Sequence, residues 1–170
     1  MKRLSLIENR DARVSVVGLG YVGLPLAVSV ARAGFETFGL DTDRDFLRSL
    51  EGPRGGVNGV SSEELEGLRG ENLTFASDYR SVEGSHVFII SVPTPLNEYR
   101  EPDMSYVRDS LGEISPYLDK NDLVIVESTL YPKATEDELC PRLAEQTGMK
   151  PGEDFYLAFS PERIDPGNSD

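Results

Sequence analysis

The chain has 170 residues, with 17 Lys and Arg against 30 Asp and Glu for a formal net charge of −13, and it carries one cysteine and one histidine. That charge argues against nucleic acid and anionic membranes as partners, and a lone cysteine excludes an internal disulfide or a multi-cysteine metal site, so no metal is expected. The length suits one domain over residues 1–170; residues 1–13 show no leader pattern and no apolar stretch has spanning length, so a cytoplasmic location is expected.

In chain order, β-branched apolar runs alternate with helix-period segments, the pattern of an α/β fold with a parallel sheet covered on both faces. The first predicted strand, 13–18, runs into Gly18-Leu-Gly20-Tyr21-Val22-Gly23. Gly18 permits the tight turn, Gly20 lets the backbone approach a pyrophosphate, and Gly23 lets the following helix pack close to the sheet. That helix is predicted over 21–33, with Pro25 confined to its first turn, so that its start falls near Gly20 or Tyr21. The next strand, 36–41, ends in Asp41, 23 residues after Gly18. An acid at about that distance holds the adenine ribose hydroxyls of a dinucleotide and repels a 2′-phosphate. This favours NAD over NADP as the expected cofactor. Arg44 is a solvated helix-start residue on this reading, although it or Asp43 offers another hold on the ribose.

Helices follow at 43–50 and 61–69, separated by a Gly-rich loop at 51–59, with Ser61, Ser62 and Glu64 resembling a capping box. Strands at 73–76 and 86–91, a helix at 104–118 capped by Asp103, a strand at 122–127, a helix at 134–147 closed by Gly148 and a strand at 155–160 complete the series. About six strands in this order fit a Rossmann-type doubly wound parallel sheet, with strand order 3-2-1-4-5-6. The unusual residues then gather at the carboxyl ends of the strands: the glycine turn, Asp41, Pro93-Thr94-Pro95, Ser128-Thr129 and Ser160-Pro-Glu162-Arg163. Ligands of open parallel sheets bind there.

The segments GLGYVGLPLA, SVPTPLNEYREPDMSYV, ESTLYP and FSPERIDPGN resemble the amino-terminal half of the nucleotide-sugar 6-dehydrogenases, the UDP-glucose/GDP-mannose dehydrogenase family, over residues 12–169. The resemblance implies oxidation of a sugar C6 alcohol to a carboxylate with two NAD, through a thioester on a cysteine. The substrate it implies is a UDP-sugar, UDP-N-acetylglucosamine or UDP-N-acetylmannosamine, handled by a homodimer or higher homo-oligomer. It matches Gly18, Gly20, Tyr21, Val22 and Gly23 to the pyrophosphate turn and Asp41 to the ribose acid. Val92, Thr94 and Pro95 match the loop along the cofactor, and Ser128 and Thr129 the segment near the nicotinamide ribose. Thr129 also matches a threonine that orders a catalytic water, and the residue type equally suits a helix N-cap, a role compatible with the first. Glu162 matches a general base for thioester hydrolysis, and Arg163 and Asp165 fall in the segment lining the sugar site.

Two departures from the family pattern stand out. Lys133 replaces a usual glycine after Tyr-Pro, and the family's nucleophilic cysteine and catalytic lysine have no counterpart before Asp170. The expectation is an amino-terminal fragment that binds NAD without turnover. Cys140 reads as a buried small apolar residue and His86 as structural. Two alternatives stay open at this point: the same half of another hydroxy-acid or sugar dehydrogenase, or a non-catalytic NAD-binding module.

Overall fold

The computed structural model describes residues 2–50, 60–96, 98 and 100–161. Six parallel strands form one sheet: β1 (Arg13–Val17), β2 (Glu36–Leu40), β3 (Leu73–Ala76), β4 (Val87–Ile90), β5 (Asp122–Val126) and β6 (Phe155–Phe159). Their order across the sheet is β3-β2-β1-β4-β5-β6, the predicted doubly wound arrangement. The helices are α1 (Lys2–Glu8), α2 (Gly23–Arg32), α3 (Arg44–Leu50), α4 (Ser62–Leu68), α5 (Ser105–Ile114) and α6 (Cys140–Thr147). The predicted loop at 51–59 lies outside the described residues.

Alternation along the central strands divides the core between two faces. Val14 and Val16 of β1 and Val87 and Ile89 of β4 pack with Leu24, Ala27, Val28 and Ala31 of α2 and with Leu65 of α4. Val17, Phe88 and Ile90 point the other way and pack with Val107, Leu111 and Ile114 of α5 and with Leu143 of α6. Burial on both sides makes β4 apolar throughout, as a covered parallel strand must be. At the amino edge, His86 Nδ1 accepts from Arg13 N at 2.9 Å, and the Arg13 guanidinium lies 3.8 Å from the Phe38 ring centre. The only histidine thus ties β1 to the start of β4, far along the strands from the ligand edge.

Three predicted helices end or begin differently. Helix α2 opens at Gly23 rather than Gly20 or Tyr21, although Leu24 N already donates to Gly20 O at 3.2 Å. Pro25 has no N–H to return to Tyr21 O, so the regular ladder starts late. The helix predicted at 104–118 stops at Ile114 and tightens into a 3₁₀ turn over Ser115–Tyr117. Pro116 cannot donate to Gly112 O, and Ser115 Oγ takes that carbonyl at 2.8 Å. The helix predicted at 134–147 widens into a π-helical turn over Thr135–Leu139, with Cys140 N donating to Thr135 O. Here Pro141 leaves Asp137 O without a helical donor, and the ladder passes to the longer spacing just before it. Cys140 is consequently half-buried, not buried as expected. Burial, then the charge of Glu136, push its thiol above the ordinary value, so it is a poor nucleophile. Helix α1 and a 3₁₀ turn at Tyr79–Val82 were not predicted.

Two predicted caps are present: Ser61 and Glu64 form a reciprocal capping box, and Gly148 ends α6 at φ 68°. The third is displaced: α5 starts at Ser105 behind Met104, which makes no side-chain cap bond, and Asp103 stands one position earlier, its Oδ1 accepting from Ser105 N at 2.9 Å. The Ser61 backbone N–H, then Arg32, hold the Glu64 carboxyl below its ordinary value. Lys120, then the Lys150 N–H, do the same for Asp154. Carboxyls depressed in the native state stabilise the fold above their unfolded pKa and lose that contribution as pH falls through the native value. Thermal unfolding followed by circular dichroism should show the midpoint falling below about pH 4, and Ser61→Ala should lower it at neutral pH while reducing part of that acid sensitivity.

Candidate functional site

Strands β1 and β4 are neighbours whose chain connections leave in opposite directions, and this switch point opens the ligand crevice of such folds. Gly18 sits at its base with φ 89°, its N–H donating to Leu40 O at 2.8 Å. A Cβ on Gly18 would lie 2.6 Å from Ser91 O, and one on Gly23 would lie 1.8 Å from Gly18 O. The turn is therefore clamped between the ends of β2 and β4. Gly20 differs: a Cβ there would meet nothing within 4 Å. Its outer side is open, and among the described residues no acceptor takes the N–H groups of Gly20, Tyr21, Val22 or Gly23. An anion approaching Gly20 meets those donors without a side chain in the way.

Asp41 follows β2 and turns back onto the same turn. Its Oδ2 accepts from Leu19 N at 2.9 Å and its Oδ1 from Asp43 N at 2.9 Å. Each carboxylate oxygen keeps a second lone pair for a ligand hydroxyl. Asp43 Oδ1 is occupied by Asp45 N and Phe46 N as the cap of α3, and Arg44 is exposed at its first residue.

Two further turns complete the edge. The loop after β4 carries Val92, Thr94 and Pro95, and Pro95 O accepts from Asp103 N at 2.8 Å. The loop after β5 begins with Ser128, which is buried and donates from Oγ to Val92 O at 2.7 Å. Thr129 beside it is exposed. It does not cap a helix, because the helical stretch begins only at Ala134. Between them Lys133 adopts φ 68°, the left-handed conformation that a glycine adopts without strain. After β6, Ser160 N donates to Val126 O at 3.0 Å. Glu162, Arg163 and Asp165 lie outside the described residues.

One group escaped sequence reasoning. Glu138, in the π-helical turn, accepts from the Arg108 guanidinium of α5 and from the Tyr131 hydroxyl. Arg108 chiefly holds the Glu138 carboxyl below its ordinary value, while Glu138 raises the Arg108 and Tyr131 values. Arg108 and Tyr131 line a cavity of about 450 Å³ with Glu101, Pro102, Asp103 and Met104. Pro141 was the available signal, since it disturbs the helix that carries Glu138. Among the described residues no group of three or more His, Cys, Asp or Glu side chains is placed to hold a metal ion, and no helix is long and apolar enough to cross a membrane.

Residues 12–169 match the profile of the UDP-glucose/GDP-mannose dehydrogenase family, NAD binding domain. The chain belongs to this family. A UDP-N-acetyl-D-glucosamine 6-dehydrogenase of Salmonella typhi is 37% identical over 158 residues, which are 93% of this chain and 36% of that protein. The structure of a UDP-D-ManNAc dehydrogenase from Pyrococcus horikoshii superposes with a TM-score of 0.85 at 34% identity, covering 91% of this chain and 37% of that one. A ternary complex of GDP-mannose dehydrogenase from Pseudomonas aeruginosa gives a TM-score of 0.82 at 26% identity, covering 91% of this chain and 37% of that one. The chain thus spans little more than a third of the length of these family members.

The glycine contacts separate two kinds of failure. Gly23→Ala should destabilise the fold by about 3 kcal/mol in urea unfolding, because the clash is with backbone that cannot yield. Gly20→Ala should leave stability nearly unchanged while obstructing ligand approach. Lys133→Gly should stabilise by about 0.5–1 kcal/mol in the same assay, by relieving the left-handed backbone.

Proposed function

We propose that this chain binds NAD across the β1–β4 crevice and provides the dinucleotide half of a nucleotide-sugar 6-dehydrogenase. The observation that carries the reading is Asp41, held by the Leu19 N–H of a glycine turn whose outer side at Gly20 is open. A ribose acid and a phosphate cradle are thereby fixed to one another by a hydrogen bond. In this reading the N–H groups of Gly20, Tyr21, Val22 and Gly23 take the pyrophosphate. Asp41 accepts from the adenine ribose hydroxyls. Val92, Thr94 and Pro95 flank the cofactor, and Ser128 and Thr129 meet its nicotinamide half. NAD supplies the hydride acceptor; these residues bind and orient it. The Asp41 charge disfavours the 2′-phosphate of NADP.

The longer protein acts, in this proposal, on a UDP-sugar such as UDP-N-acetylglucosamine or UDP-N-acetylmannosamine, oxidising C6 to the carboxylate. The relatives that match this chain over most of its length support that substrate class. Thr129 orders water there, Glu162 is the general base, and Arg163 and Asp165 line the sugar site. A cytoplasmic homodimer or higher oligomer is the corresponding assembly.

Calorimetric titration tests the cofactor. NAD⁺ should bind more tightly than NADP⁺, and Asp41→Ala should weaken NAD⁺ by about 1–3 kcal/mol while narrowing that preference. Equal affinity for both dinucleotides in the unsubstituted chain would overturn the assignment of Asp41.

A further inference from the structure

The chain of contacts from Arg108 through Glu138 to Tyr131 has no part in the reading above, yet it ends beside the proposed cofactor residues. The loop that carries Ser128 and Thr129 is pinned at its start, where Ser128 Oγ donates to Val92 O at 2.7 Å. Its other end is Tyr131, whose carbonyl accepts from Ala134 N at 3.1 Å and whose hydroxyl donates to Glu138. Glu138 is in turn paired with Arg108 on α5, at side-chain exposures of 25% and 38%. Residues 128–131 are therefore tied to the loop after β4 at one end and to α5 and the π-helical turn at the other.

The wide turn makes this possible. One extra residue shifts the phase of a helix by roughly 100°, so Pro141 sets which side of the segment Glu138 occupies. The pair is half-buried and still reached by solvent, which screens its contribution to stability, and wide turns recur at functional positions. Stability alone is a weak account of three side chains converging beside the ligand edge.

We propose that Glu138 is a positioning residue: held by Arg108, it fixes the Tyr131 hydroxyl and so sets the Ser128–Thr129 loop for the nicotinamide half of NAD. The inference rests on the NAD reading, and the test separates the two. ADP carries only the half that the glycine turn and Asp41 take, whereas NAD⁺ also engages the loop after β5.

Calorimetry with NAD⁺ and with ADP should therefore split the variants. Glu138→Gln is expected to weaken NAD⁺ binding about five- to tenfold and to leave ADP binding unchanged. Tyr131→Phe, which removes one hydroxyl from a residue 38% exposed, should give the same pattern, and the double variant should add little further loss. Tyr131→Phe carries the test alone if Glu138→Gln does not fold. Unchanged NAD⁺ affinity in Tyr131→Phe, or equal losses for NAD⁺ and ADP, would overturn the positioning role. Failure of the unsubstituted chain to bind NAD⁺ would instead overturn the NAD reading, and this inference with it.

Discussion

The carbonyl of Ser91 stands so close to Gly18 that no side chain fits between them, and the carboxyl edge of the sheet is organised around that approach. At this one residue the ends of three strands meet, since Gly18 also donates to Leu40 O. The meeting point decides where α2 can start, because Gly23 must pass over Gly18 O at a distance no Cβ tolerates. It also decides where Leu19 N points, and Asp41 answers that donor. Steric exclusion of two side chains thus places a carboxylate 22 residues away in sequence. The hydrogen bond itself is charge-assisted, worth about 1.5–3 kcal/mol, so the acid is held before any ligand arrives.

The opposite half of the domain is shaped by missing donors. Pro116 and Pro141 each remove an N–H that an α-helix needs. The two sites resolve the loss differently: the first tightens into a 3₁₀ turn with Ser115 Oγ filling in, and the second widens into a π-helical turn. Tightening ends a helix on the side away from the crevice. Widening keeps the helix going and re-aims what it carries, and Glu138 is part of what it carries.

Much of the fold was legible because its signals are local. The strands are short runs, β-branched in β1, β4 and β5, each cap is a residue a few positions from what it caps, and the glycine turn is contiguous. The two internal prolines were equally visible, but they lay within runs whose period was helical on both sides, and period prevailed over backbone chemistry. Helix α1 lacked any such signal: it has no acidic residue in its first turn and no basic one in its last, and Ile7 is the residue seen packed against the core among those whose side chains are described. The site divides along the same line. The glycines and Asp41 follow from spacing, whereas the Arg108–Glu138 pair joins residues 30 apart on different elements, which no local pattern encodes. Lys133 falls between: its departure from glycine was readable, its left-handed backbone was not.

Strand β1 lies in the interior of the sheet, and its partner on one side comes late in the chain, with Arg13 facing His86 across 73 residues. Pairing them closes a long loop, an entropic cost met before the sheet repays it. The glycine turn is clamped by Ser91 on its sheet side, so the crevice needs both β1 and the much later β4. In the proposed reading, dinucleotide affinity is therefore a property of the assembled sheet, and a nucleotide added during refolding draws the equilibrium toward molecules in which β4 has docked.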